Sequence, residues 1–176
     1  RSFKKILGLM SGTSMDGLDM CLAKISLDMD YSFHYEIINS NYEKFDSNTV
    51  DLIKKTISDN NYINDLDNHL GVFFSNTVNK YYSKNDIDII SMHGQTVKHI
   101  DKIESIQSGN PKFLNEQFQV PIVYNFRKAD ISAGGNGAPL MPFLDWLLFK
   151  DYQSDVITLN IGGISNISYI KKRCNL

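Results

Sequence analysis

Alternating apolar and polar positions predict three strands at the start of the chain. Residues 4–11, 17–27 and 33–42 carry Ile, Leu, Tyr or Phe at roughly every second position, which is the period of a β-strand. The polar links "GTSMD" and "DMDYS" separate these three segments. Consecutive strands with short links favour an antiparallel three-strand meander.

Two segments with helical spacing follow. Residues 47–60 have Ser47 as the predicted N-cap, and place Val50, Ile53 and Ile57 on one face. A second apolar face extends along residues 64–84, and consists of Leu66, Leu70, Phe73, Phe74, Val78 and Tyr81. The pattern therefore predicts two amphipathic helices.

Strands and helices alternate along the rest of the chain. The predicted elements are a buried strand at 86–94, a short strand at 103–108, a helix at 110–118, a buried strand at 120–126, a glycine-rich loop at 127–142, an amphipathic helix at 144–152 and a hairpin at 155–170. This order predicts an α/β fold with a mixed five-stranded sheet and helices on both faces. The opening and closing hairpins share one pattern, so we expect a lobe over 1–154 and the start of a second lobe over 155–176.

Composition narrows the functional classes. The chain has 176 residues, a net charge of −2 and scattered basic residues, which argues against a nucleic-acid or anionic membrane surface. It has no apolar run long enough to span a membrane, so we expect a cytoplasmic protein. The two cysteines, Cys21 and Cys174, cannot form a metal site alone.

The turn after the first strand carries more small polar residues than a hairpin needs. Residues 12–19 comprise Gly12, Thr13, Ser14, Met15, Asp16, Gly17, Leu18 and Asp19. Unobstructed backbone N–H groups and hydroxyls there can form a concave anion site, for which phosphate is the natural ligand. Asp16 and Asp19 would repel a bare phosphate but suit one that carries Mg²⁺. The alternative is an ordinary long hairpin turn.

Three further segments carry candidate chemistry. His93 and Gln95 follow the strand predicted at 86–94, where they can bond a sugar or a carboxylate, although a lone histidine is often structural. In "NFRKADISAGGNGAPLMP", Arg127 can bind a carboxylate or phosphate and Asp130 can act as a base; the alternative is a surface loop. Gly162 and Gly163 could form a second phosphate cradle, or a bulged hairpin.

Four segments in this order resemble the anhydro-N-acetylmuramic acid kinases. They are "GLMSGTSMDGLD", "HGQTV" followed by His99, "FRKADISAGGNGAPL" and "LNIGGISN". This family belongs to the superfamily of hexokinase, actin and the 70-kDa heat-shock chaperones. The resemblance implies a ribonuclease H-like (actin-like ATPase) lobe, which pairs with a second lobe around a nucleotide cleft.

The resemblance also implies a reaction. Such a kinase opens the ring of the amino sugar 1,6-anhydro-N-acetylmuramic acid with water and phosphorylates O6 from ATP, during cell-wall recycling. It implies that residues 12–19 form the first phosphate loop, that Gly162 and Gly163 approach the phosphates from the other lobe, and that Asp130 is the base. By the same resemblance His93, Gln95 and Arg127 contact the sugar, with Arg127 at the lactyl carboxylate.

The chain departs from the family pattern at two places. Asn125 stands where the family's segment usually opens with aspartate, and the chain ends where family members continue through a second lobe. We therefore expect little kinase activity from this chain alone, and self-association through the last hairpin. A non-catalytic nucleotide- or sugar-binding module and a remnant of a truncated gene are the alternatives.

Overall fold

The computed structural model describes residues 2–162 and 164–172, so Gly163 and Cys174 lie outside the described residues. Two 3₁₀ turns, Asn60–Tyr62 and Lys84–Asp86, accompany the regular elements. Those elements are β1 (Lys4–Ser11), β2 (Gly17–Leu27), β3 (Phe33–Lys44), α1 (Ser47–Ser58), α2 (Ile63–Tyr81), β4 (Ile89–Ile100), β5 (Glu104–Ser108), α3 (Pro111–Phe118), β6 (Ile122–Val123), α4 (Phe126–Ser132), α5 (Met141–Phe149), β7 (Val156–Asn160) and β8 (Asn166–Ile170).

The main sheet is mixed, as predicted, but the predicted number of strands is wrong. It has six strands in the order β3-β2-β1-β4-β5, with β6 paired beside β4, instead of five. β1 pairs antiparallel with β2, and β2 pairs antiparallel with β3. β4 is parallel to β1 and β6 but antiparallel to β5. Helices on both faces complete an α/β fold.

The hydrophobic core lies between one face of this sheet and helices α1 to α3. Leu66, Leu70, Phe74 and Val78 of α2 are fully buried there, at the spacing of one helix face. The N-cap of α1 is Asp46 and not the predicted Ser47, because the Asp46 carboxylate accepts a hydrogen bond from the Thr49 N–H at 2.8 Å.

Two further predictions for α1 and α5 need correction. Ile57, predicted on the apolar face of α1, is 48% exposed, and Thr56 is buried instead. The last helix begins three residues before the predicted start and is apolar on nearly every side, so it is not amphipathic.

The chain between β4 and α5 differs most from the predictions. β4 continues past residue 94 because its second half pairs with β5, so His93 and Gln95 lie within a strand and not beyond its end. The strand predicted at 120–126 is only two residues long, with Val123 exposed, because the chain turns into α4 at Asn125. The segment predicted as a loop at 127–142 therefore begins inside a helix.

The last two strands form a separate two-stranded sheet, which confirms the predicted hairpin. Its link to the preceding helix α5 is the buried Asp145, whose Oδ2 accepts hydrogen bonds from Thr158 Oγ1 at 2.8 Å and Ser168 Oγ at 2.7 Å. Within residues 2–162 and 164–172, no helix is long and apolar enough to cross a membrane.

Candidate functional site

A cleft of about 590 Å³ lies on the sheet face opposite the helical core. Side chains alternate across a strand, so the neighbours of core residues Leu7 and Leu9 face this cleft. Strands β1 to β4 and the first residue of α4 supply its walls. The lining residues are Gly8, Leu9, Met10, Asp19, Met20, Cys21, Ser40, Asn41, Tyr42, Ser91, His93 and Phe126. The cleft thus brings two predicted site residues, Asp19 and His93, to one surface.

The turn between β1 and β2 is closed by local hydrogen bonds. The Met15 N–H donates to the Gly12 carbonyl at 3.1 Å, and Ser14 Oγ donates to Asp16 Oδ1 at 2.6 Å. The Tyr42 hydroxyl donates to the Asp16 carbonyl at 2.9 Å and ties the turn to β3. Thr13, Ser14 and Asp16 are exposed, so their polar atoms can meet a ligand.

Gln95 holds the start of this turn from inside the sheet. Its side chain is 0% exposed. Its Oε1 accepts a hydrogen bond from Ser11 Oγ, and its Nε2 donates to the Gly12 carbonyl at 3.1 Å. Because no part of Gln95 reaches solvent, the structure offers no surface for the predicted direct contact with a sugar; its amide positions the turn.

His93 and Arg127 are joined by a hydrogen bond between β4 and α4. Nδ1 of His93 lies 2.7 Å from the Gly94 carbonyl, so this nitrogen carries the proton. Its Nε2 is therefore free to accept from Arg127 Nε, at 2.9 Å. Arg127 also donates from Nη1 to the Gly137 carbonyl at 2.9 Å. Two of the predicted sugar contacts are thus in contact with each other.

The Asp130 carboxylate is held by the segment that follows α4. Its Oδ2 accepts from the Gly137 N–H at 2.7 Å, and the Gly135 N–H donates to the Asp130 carbonyl at 2.8 Å. Gly137 has a φ of +81°, and a Cβ there would come within 2.8 Å of Ile131, so glycine is required. Asp130 itself is exposed. Its Oδ1 has no hydrogen-bond partner in the described part of the chain.

Burial sets the protonation of the histidine–arginine pair. Burial lowers the pKa of His93, and the charge of Arg127 lowers it further, against the bond to Gly94. Burial also lowers the pKa of Arg127, which remains a cation at neutral pH. A neutral imidazole beside a cationic guanidinium is therefore the stable combination.

The two predicted metal ligands, Asp16 and Asp19, lie close to Tyr42. Burial, together with the negative charges of Asp16 and Asp19, raises the pKa of the Tyr42 hydroxyl. No cluster of three or more His, Cys, Asp or Glu side chains among the described residues is placed to hold a metal ion. This donor set suits Mg²⁺ that arrives with a nucleotide, because phosphates and waters then supply most of its ligands.

Some predicted site residues lie away from this group. Leu18 is fully buried in the core. Gly162 is exposed on the last hairpin, and Gly163 lies outside the described residues. Sequence reasoning missed Ser11 and Tyr42, which fix the turn from either side. The position of Ser11 at the end of β1, directly before the glycine, was the available signal.

Comparison with known proteins places this chain in a family. The family model described as anhydro-N-acetylmuramic acid kinase matches residues 4–174. The chain is 36% identical over 192 residues to the anhydro-N-acetylmuramic acid kinase of Francisella tularensis subsp. novicida, covering 99% of this chain and 49% of the relative. It is 38% identical over 190 residues to the protein of that name from Pelagibacter ubique, covering 98% and 49%.

A third relative has the same name and a similar degree of identity. The anhydro-N-acetylmuramic acid kinase of Clostridioides difficile is 34% identical over 196 residues, covering 97% of this chain and 48% of the relative. The chain thus spans about half the length of the curated relatives it matches. Because the family model matches nearly all of its residues, the chain belongs to the anhydro-N-acetylmuramic acid kinase family.

Proposed function

We propose that this chain forms the sugar-binding and base-bearing half of a kinase that hydrolyses and phosphorylates 1,6-anhydro-N-acetylmuramic acid. The observation that carries the proposal is the setting of Asp130. One carboxylate oxygen is fixed by the Gly137 N–H, while Oδ1 has no partner within the described residues. A fixed carboxylate with an available oxygen is what a general base for water requires.

In the proposed reaction Asp130 takes a proton from water as the water oxygen bonds to C1 of the sugar. The C1–O6 bond breaks, and O6 then bonds to the γ-phosphorus of ATP as the bond between that phosphorus and the β–γ bridging oxygen breaks, so that ADP leaves. Arg127, a half-buried cation beside this segment, suits the lactyl carboxylate. Positioning and charge neutralisation account for most of the catalysis of phosphoryl transfer.

The turn at residues 12–16 is the proposed site for the ATP phosphates. Its exposed Thr13 and Ser14 hydroxyls and its small residues support this assignment. Asp16 and Asp19 would hold Mg²⁺ together with phosphate oxygens. When bound, Mg²⁺ neutralises phosphate charge. Use of ATP implies a cytoplasmic protein.

The proposal includes an actin-like ATPase lobe over residues 1–154, with 155–176 as the first hairpin of a second lobe. That hairpin exposes several large apolar side chains, including Ile157, Ile161 and Ile167. Such a surface supports packing against a second lobe, or self-association of the chain when that lobe is absent.

Calorimetry and product analysis test the proposed function. The chain is titrated with MgATP and with the anhydro sugar, and is then assayed after extension by the C-terminal half of the Francisella relative. We expect the extended protein to form a 6-phosphorylated, ring-opened sugar, and Asp130→Asn to keep binding but lose turnover. Unchanged turnover in Asp130→Asn removes Asp130 from the role of base. Binding by an extended protein that forms no product favours a non-catalytic module.

A further inference from the structure

A continuous set of hydrogen bonds joins the interior of β4 to the Asp130 carboxylate. It begins at His93, passes through the Nε and Nη1 atoms of Arg127 to the Gly137 carbonyl, and continues from the Gly137 N–H to Asp130 Oδ2. All three bonds measure between 2.7 and 2.9 Å. Gly137 therefore connects the arginine to the aspartate through its own backbone.

We propose that His93 is a positioning residue, neutral with its proton on Nδ1, which holds Asp130 in place through Arg127 and Gly137 and does not bond the sugar. Both ring nitrogens are already occupied, Nδ1 by the Gly94 carbonyl and Nε2 by Arg127. Neither nitrogen is left for a ligand. The inference rests on the proposed function only in taking Asp130 as the base.

The arrangement requires a histidine in one tautomer. Position 93 must donate to a backbone carbonyl on one side and accept from a guanidinium on the other. An imidazole with its proton on Nδ1 does both in a rigid ring, whereas a protonated ring would present a second donor to Arg127.

Arg127 gains a specific orientation without losing its charge. Its two acceptors, an imidazole and a peptide carbonyl, are both neutral. Across the residues that the structure describes, no carboxylate forms an ion pair with Arg127. Its positive charge therefore remains available to an anionic group, while its geometry is fixed by His93 and Gly137.

Nitrogen-15 NMR of the unmodified chain tests the tautomer directly. Two-bond correlations in the imidazole ring distinguish a protonated Nδ1 from a protonated Nε2 without any substitution. We expect the His93 ring to show the proton on Nδ1 at neutral pH. A ring protonated on Nε2 would overturn the proposal, because Nε2 could then not accept from Arg127.

Amide exchange tests the link to Asp130. In His93→Leu the Gly137 amide hydrogen should exchange with solvent about tenfold faster, because Arg127 then no longer holds the Gly137 peptide in place for its charge-assisted hydrogen bond to Asp130. His93→Gln can present an acceptor to Arg127, and should restore most of that protection. Amides of β1 serve as the internal control for overall stability. Unchanged Gly137 exchange in His93→Leu, or no rescue by glutamine, contradicts the proposal.

A second variant covers the case in which His93→Leu unfolds. Arg127→Lys keeps the positive charge but cannot bond His93 and Gly137 with one planar group, so Gly137 exchange should rise as in His93→Leu. If Gly137 is protected as proposed but Asp130→Asn keeps its turnover in the extended protein, the proposed function fails and the positioning role of His93 stands.

Discussion

Replacing Gly135 by alanine adds one methyl group directly against the Asp130 carboxylate. A Cβ at position 135 would lie 2.2 Å from Oδ2 and 2.5 Å from Oδ1, whereas ordinary van der Waals contact begins at 3.4 Å. The carboxylate must therefore move by about 1 Å. The backbone of Gly135 is outside the left-handed region, so alanine is accepted there without backbone strain.

A movement of that size removes the bond that fixes Asp130. The Gly137 N–H now lies 2.7 Å from Oδ2, and a separation of about 3.6 Å is no longer a hydrogen bond. Misplacing a catalytic group by about 1 Å costs about 100-fold in rate. Because Asp130 is exposed, water replaces part of the lost bond, and we expect a loss of only about 1 kcal/mol in the free energy of unfolding.

The assay combines turnover of the extended protein with the NMR signal of Gly137 in the chain itself. Gly134→Ala is the matched control, since a Cβ there meets nothing within 4 Å. Its φ of +92° makes alanine strained, so this variant should lose about 1 kcal/mol or more of stability but keep the Gly137 signal.

The two variants should therefore separate stability from geometry. Gly135→Ala is expected to shift the Gly137 amide and to lower turnover about 100-fold. If Gly135→Ala leaves both the Gly137 amide and the turnover as in the parent, the Asp130 carboxylate is not held as the structure indicates.

Three other predictions follow from single side chains. Gln95→Leu leaves the Ser11 hydroxyl and the Gly12 carbonyl without their partner, so urea unfolding should show a loss of about 2 kcal/mol in the free energy of unfolding. A loss below about 0.5 kcal/mol would contradict the role of the Gln95 amide. The folded-state pKa of His93 lies below the value of about 6.5 of the unfolded chain, so the unfolded state binds more protons as pH falls. The contribution of His93 to the free energy of unfolding should be complete above about pH 6.5 and decline below it. In a series of urea unfolding midpoints against pH, His93→Gln should therefore show a weaker decline below about pH 6.5. An unchanged decline would contradict the lowered pKa of His93. Asp145→Ala should release the β7–β8 hairpin, which limited proteolysis would detect as faster cleavage within 156–170 while α2 stays intact; equal cleavage rates would show that Asp145 does not hold it.

The local pattern of apolar and polar residues was enough to predict the strands that pair with a strand close in sequence. The alternation of β1 and β2 predicted both strands with their observed bounds, since each pairs with a neighbour across a short turn. The extension of β4 could not be predicted this way, because most residues after Gly94 are polar and, apart from Gln95, which also pairs with β1, they pair only with β5.

The glycine-rich segment after β6 shows a second limit. Helix α4 has seven residues and no side-chain cap at Asn125, so no local signal marks it. Its contacts with β4, through Arg127 and His93, become visible only in three dimensions. The roles of Arg127 and Asp130 remain predictions from residue type, because a cation and a carboxylate beside three glycines are typical of a ligand site.

The two candidate sugar contacts next to Gly94 lie in different surroundings, which their residue types do not indicate. The sequence places His93 and Gln95 together at the end of the strand predicted at 86–94. The structure separates them: Gln95 is buried beneath the turn at Gly12, whereas His93 lies at the cleft and bonds Arg127. Alternation along a strand places residues two apart on the same face, but the irregular pairing between β1 and β4 near Gly94 breaks that rule.

The central claim is that the turn at residues 12–16 and the segment around Asp130 serve one bound nucleotide and sugar. Titration of the ¹⁵N-labelled chain with Mn²⁺·ATP tests it, since the paramagnetic ion broadens amide signals close to it. We predict that the amides of Gly12 to Asp16 and those of Asp130 and Gly137 broaden together and recover when Mg²⁺·ATP displaces the probe. Broadening of only one of these two segments, or of neither, would contradict the account.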